Sequence, residues 1–212
     1  MDEQIFAMIA EQRRDLADLL DGLTDAQWQT PSLCEGWRVR EVVAHLVMPF
    51  SLPMWKFTLN LIARRGNFNR VMDERARAER RSNAELVEVL RANAETRFLP
   101  PGPKRHARML ADVVVHGQDI ARPLGIERTV PAVQAEVVLT LLTHPMIQKF
   151  YGAVTDGLSF VSRDGWRWGD GPEVTGPSEA LITTLAHRSA ALDELGGPGL
   201  PLLRKRLSGS VG

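Results

Sequence analysis

Arg38-Val39-Arg40-Glu41-Val42-Val43-Ala44-His45-Leu46-Val47-Met48 decides how this chain is read. Val39, Val42, Val43, Leu46 and Val47 recur at the three- and four-residue intervals that line one face of an α-helix. The stripe predicts a helix buried along one side, with His45 on its flank. Pro49 and Pro53 are expected to end or kink it. Upstream, Ile5, Ile9, Leu16, Leu19, Leu20 and Leu23 keep the same period over residues 3–23. Asp21-Gly22 ends that helix, and Thr24-Asp25-Ala26-Gln27 has capping-box spacing ahead of Trp28.

Downstream, Met54 to Arg65 reads as helical and stops at Gly66-Asn67. Residues 73–81 are dense in Arg and Glu and read as a solvated helix or loop. Ser82-Asn83-Ala84-Glu85 is a second capping box, opening a helix to about Arg97. Pro100-Pro101-Gly102-Pro103 is a hard break. A helix from about Lys104 to Arg122 ends at Pro123-Leu124-Gly125, and Pro131 opens another to about residue 143, closed by His144-Pro145. The period then changes. Leu158–Val161 and Trp166–Trp168 read as strands about the turn Arg163-Asp164-Gly165, and Pro172–Thr175 as a third. Helices over Glu179–Leu195 and 200–207 finish the chain. The expectation is a mostly α protein, with a helical bundle over residues 1–152 and a small α+β domain over 153–212.

Composition narrows the function. The 212 residues carry 26 Lys plus Arg against 26 Asp plus Glu, so the basic excess of a general nucleic-acid binder is missing. The longest uncharged apolar run, Leu46 to Trp55, is broken by Pro49 and Pro53 and falls far short of the ~20 residues of a membrane span. Met1-Asp2-Glu3-Gln4 is acidic and leads into a helix, unlike a signal peptide. The lone Cys34 permits no internal disulfide. A soluble cytoplasmic protein, without nucleic-acid or membrane partners, is expected.

Chemistry is sought among the histidines. His116 follows Asp112 by four residues, so on a helix the two share a face and can offer an oxygen and a nitrogen to one ion. Arg108 and Asp119 lie on that face too. A divalent ion wants at least three protein ligands, and His45 is the best third because its helix also faces a core. The same Asp–His spacing also serves as a surface ion pair. His106, His144 and His187 have no partner at ligand spacing. Cys34, ahead of a helix, reads as a packed residue before it reads as a nucleophile. Trp37 suits packing, or the mouth of a site. Asp119 can orient the second nitrogen of His116 or pair with Arg122.

Three blocks add a resemblance. They are Pro31-Ser32-Leu33-Cys34-Glu35-Gly36-Trp37-Arg38-Val39-Arg40-Glu41-Val42-Val43-Ala44-His45-Leu46; Leu110-Ala111-Asp112-Val113-Val114-Val115-His116-Gly117-Gln118-Asp119-Ile120; and Trp168-Gly169-Asp170-Gly171-Pro172-Glu173-Val174, with Gly176-Pro177. Together they resemble the mycothiol-dependent maleylpyruvate isomerase family of the DinB/YfiT-like metal-binding four-helix bundles, over nearly the whole chain. The resemblance implies a DinB-like four-helix bundle with a small C-terminal α+β domain. It implies a divalent metal on His45, Asp112 and His116, zinc first, with nickel or manganese as alternatives. Characterised isomerases usually carry Glu where Asp112 stands. It further implies mycothiol as cosubstrate and an electrophilic small molecule as substrate, for an isomerase or a thiol S-transferase. An arginine for an anionic substrate maps to Arg188, in Leu185-Ala186-His187-Arg188, where a surface role on a helix flank is equally open. A non-catalytic metal-stabilised bundle binding a small molecule or protein, and a metal-dependent hydrolase, stay open as alternatives, as does a homodimer.

Overall fold

The computed structural model describes residues 2–51, 62–100, 102–151 and 154–208. The helices are α1 (Asp2–Asp21), α2 (Asp25–Trp28), α3 (Val39–Ser51), α4 (Phe68–Arg77), α5 (Asn83–Ala92), α6 (Arg105–Ala121), α7 (Ala132–Leu142) and α8 (Pro145–Tyr151). Three strands follow, β1 (Ser159–Ser162), β2 (Arg167–Trp168) and β3 (Glu173–Gly176), and then α9 (Ser178–Leu185) and α10 (Leu200–Ser208). Short 3-10 turns span Arg122–Leu124 and Ser189–Glu194. The chain is thus mostly helical, with one small sheet near its end. Among the described residues no helix is long and apolar enough to cross a membrane.

Two compact units share the chain. The first comprises Met1–Pro101 and Asp119–Ile126, the second Gly102–Gln118 and Glu127–Gly212. In the first, α1 packs on α5, α5 on α3, and α3 on α4. Leu16 and Leu20 of α1, Val42 and Val43 of α3, and Leu86 and Leu90 of α5 are fully buried in its core. Both capping boxes form. Thr24 Oγ accepts the Gln27 N–H at 3.3 Å, and Ser82 Oγ accepts the Glu85 N–H at 3.2 Å. Each glutamyl or glutaminyl side chain returns the bond to its cap's own N–H. In the second unit α7 packs on α9, and α9 lies on β1 and β3. The sheet order is β2-β1-β3, antiparallel on the first pair and parallel on the second. Phe160 and Val174, paired in register, point into the core.

Several helix ends differ from the sequence reading. Pro49 lies inside α3 and does not end it, while Pro53 falls outside the described residues. Most of the expected helix from Met54 falls outside the described residues; its stop is seen, with Gly66 at φ 79° and Asn67 capping α4 through the Arg70 N–H at 3.0 Å. The charged 73–81 stretch is α4 through Arg77, anchored by buried Val71, Met72 and Ala76. Helix α5 stops at Ala92, not near Arg97. There one nitrogen of the buried Arg13 guanidinium, Nη1, faces the carbonyls of Asn93, Ala94 and Thr96 at 3.2, 3.1 and 2.9 Å. Pro145 starts α8 as well as closing α7. Helix α9 ends at Leu185, not Leu195, because His187 adopts φ 65° and the chain re-forms as a 3-10 turn.

Candidate functional site

Helix α6 is buried along most of its length, with Leu110, Val113, Val114 and Ile120 in the core. Its partly exposed side chains include Asp112 and His116. Carboxylate Oδ1 and imidazole Nε2 stand 3.6 Å apart, one turn from each other. That separation is beyond a good hydrogen bond. Two ligand atoms each about 2 Å from a tetrahedral ion would sit about 3.3 Å apart, so the spacing suits a shared cation better than a mutual bond.

His45 belongs to the first unit, on α3. Glu41, one turn earlier, accepts the Arg38 backbone N–H and Nε at 2.9 Å each, closing the N-terminus of the helix. Burial pushes the Glu41 carboxyl up, and these Arg38 bonds and charge more than offset it, leaving it below the usual range. The Trp37 ring lies 5.5 Å from the His45 ring at 47°. Trp37 Nε1 in turn donates to Asp73 at 2.9 Å, and that bond, with Arg77, holds the Asp73 carboxyl low. Trp37 is therefore a fixed wall against the imidazole. Asp112 and His116 of the second unit offer a carboxylate oxygen and an imidazole nitrogen, and His45 of the first offers an imidazole nitrogen; each is a donor type that divalent transition metals accept.

Asp119 is buried, and Cys34 Sγ donates to its Oδ2 at 3.0 Å. Its backbone carbonyl accepts the Leu33 N–H at 3.1 Å. The thiol was not foreseen as a partner of this carboxylate. Arg188 stands outside any α-helix, between α9 and the 3-10 turn, and its Nη1 donates to the Ala186 carbonyl. Burial, then the Arg188 charge, lowers the pKa of neighbouring His187. His144 Nδ1 accepts the Met146 N–H at 3.3 Å as a local cap. Sequence reasoning overlooked Arg128, which lies against Gly117 directly after His116. The available signal was the glycine itself, an uncommon choice inside a helix unless something must approach closely.

Residues 9–121 match the family model of the mycothiol maleylpyruvate isomerase N-terminal domain. The chain belongs to that family. Cys34, His45, Asp112, His116 and Asp119 fall inside the segment matched to the mycothiol maleylpyruvate isomerase N-terminal domain, and Arg188 falls outside it. Two crystal structures share the fold: the mycothiol-dependent maleylpyruvate isomerase, with a TM-score of 0.61, and a histidine-to-alanine mutant of it, at 0.62. Each is 14% identical, with 93% of both chains covered. No curated protein matches the sequence.

Proposed function

We propose that this chain is a metal- and mycothiol-dependent enzyme of the maleylpyruvate isomerase kind, an isomerase or a thiol S-transferase acting on a small electrophile in the cytoplasm. His45, Asp112 and His116 are proposed to hold one divalent ion, zinc before nickel or manganese. The observation that carries the reading is the Asp112–His116 pair, 3.6 Å apart within the family-matched segment. Residues 1–152 would form the metal-binding bundle and 153–212 the domain that contributes Arg188. A homodimer is compatible with this assignment.

A cation bound there would lower the pKa of a coordinated thiol, so that the thiolate is available at neutral pH. The chain's own part is positioning. Trp37 fixes the plane of His45, and Glu41 fixes the start of its helix. Asp112 contributes a negative charge, which favours a cation over a neutral occupant. Arg188 is proposed to hold an anionic group of the substrate. Cys34 is engaged with Asp119, which favours an external thiol as the nucleophile. In isomerisation that thiol adds across the substrate double bond, the resulting single bond rotates, and the thiol is expelled. In transfer the adduct is the product.

The test has two parts. Elemental analysis should find about one divalent ion per chain in the wild type and none in His116→Ala; equal occupancy rejects the ligand assignment. A panel of electrophiles assayed with mycothiol should show turnover that a chelator removes. Metal without turnover on any electrophile would leave a metal-stabilised binding protein in place of an enzyme.

A further inference from the structure

The second unit contains a cavity of about 410 Å³ whose lining includes none of the residues assigned above to the metal or the substrate. It lies at the carboxyl ends of the parallel pair β1–β3, where Ser162 and Gly176 stand in register. Ligand clefts in sheets with parallel strands are commonly found at those ends. The volume falls within the range of small-molecule sites. Two connections shape the cavity. The Arg163 N–H donates to the Gly176 carbonyl at 3.0 Å, which ties Arg163 to the end of β3. Thr175 and Gly196 exchange both backbone hydrogen bonds, at 2.9 and 2.8 Å, which holds the segment after Glu194 along the edge of β3.

The lining carries one side chain of each charge, Arg163 and Glu194, and both are exposed. Among the described residues Arg163 takes part in no ion pair, so the two charges share a cavity without closing on each other. A guanidinium matches a carboxylate through two parallel N–H bonds. A carboxylate has about four acceptor positions, so Glu194 can take an ammonium beside any protein donor. Val161 and the buried Leu195 supply apolar lining. A simple anion entering here would be repelled by Glu194, and a simple cation by Arg163, whereas a molecule with both charges is attracted by each. We propose that this cavity binds a small zwitterion, with its carboxylate on Arg163, its ammonium on Glu194 and its apolar body against Val161 and Leu195. A free amino acid and a dipeptide share that chemistry. The site does not rest on the metal-dependent reading above.

The experiment is an NMR titration of the full-length protein with leucine and, separately, with leucyl-leucine. The N-acetylated form of each lacks the ammonium and the C-terminal amide lacks the carboxylate, so both serve as controls. At least one of the two zwitterions should bind with a Kd on the order of 1 mM or tighter. Binding should shift the amides of residues 161–163, 175–176 and 194–196. Tighter binding of leucine assigns the site to a free amino acid, and tighter binding of leucyl-leucine to a dipeptide. Each control should bind about tenfold or more weakly, as expected for a lost charge-assisted bond. Arg163→Gln should weaken the zwitterion by about the same factor and erase its advantage over the amide. Glu194→Gln should erase its advantage over the acetylated form. Circular dichroism certifies each variant. Absence of binding by either zwitterion overturns the proposal, as do shifts confined to other residues, controls that bind as tightly as the zwitterion, or unchanged affinity in Arg163→Gln. If a variant does not fold, the acetylated and amidated controls on the wild type still decide.

Discussion

Cys34 is the chain's only thiol, and its bond to Asp119 makes its role testable by one atom. Serine keeps a donor toward the carboxylate, so Cys34→Ser should retain most of the thiol-dependent turnover. Alanine withdraws a donor from a carboxylate that is 1% exposed, which should cost about 1–3 kcal/mol of stability. Turnover per folded molecule should survive in that variant, while His45→Ala should abolish it. Thermal melts and assays on the three variants decide the matter. A folded, metal-loaded Cys34→Ser without turnover would make the protein's own thiol the nucleophile. Only part of this neighbourhood was legible in the sequence. Asp112 and His116 share a face by helical arithmetic alone, and 3.6 Å is what one turn delivers. Cys34 and Asp119 are 85 residues apart, so their meeting depends on how the 31–37 loop folds back. The Arg128–Gly117 approach likewise depends on a connection whose path no local pattern encodes.

Helix ends expose the same divide among elements. Starts were readable where they are made locally, as at Thr24 and Ser82. The stop of α5 was not, because it depends on Arg13 from α1. Arg13 is 2% exposed, and its Cζ also lies 4.8 Å over the Phe50 ring. Arg13→Ala should withdraw a charged donor from these carbonyls and lower stability by about 3 kcal/mol. Arg13→Lys should recover less than half, since an ammonium lacks the guanidinium plane that lies over the Phe50 ring. Chemical denaturation of the two variants checks this, and a loss under ~0.5 kcal/mol in Arg13→Ala would show the contact to be idle. The link between α4 and α5 carries a pH effect. Hydrogen bonds from Arg81 lower the Glu79 carboxyl from 4.5 to about 2. Folded Glu79 therefore binds a proton less readily than unfolded Glu79. Its contribution is whole above pH 4.5 and fades as pH falls toward 2. Melting temperature between pH 5 and pH 2 should fall less steeply in Glu79→Gln than in the wild type. Parallel profiles would remove Glu79 from the acid response.

For the molecule as a whole, the mostly helical class and the late small sheet were legible because side-chain period changes from that of a helix to that of a strand near Leu158. A bound ion should also report on the whole fold. A ligand present at a hundred times its Kd adds about 2.7 kcal/mol to the native state. Chelation should therefore lower the melting temperature of the wild type and leave His116→Ala unmoved; equal shifts in both would mean that the ion sits elsewhere. The first unit ends at Pro101, and is completed only when Asp119–Ile126 returns to it. A ribosome adding about 5–20 residues per second takes on the order of one to a few seconds to cover that gap. During that interval the 31–37 loop has been made, but the Asp119 carbonyl and carboxylate that receive Leu33 and Cys34 have not. The nascent chain thus passes through a stage in which its single thiol lacks its carboxylate partner, and the emergence of one aspartate brings that stage to an end.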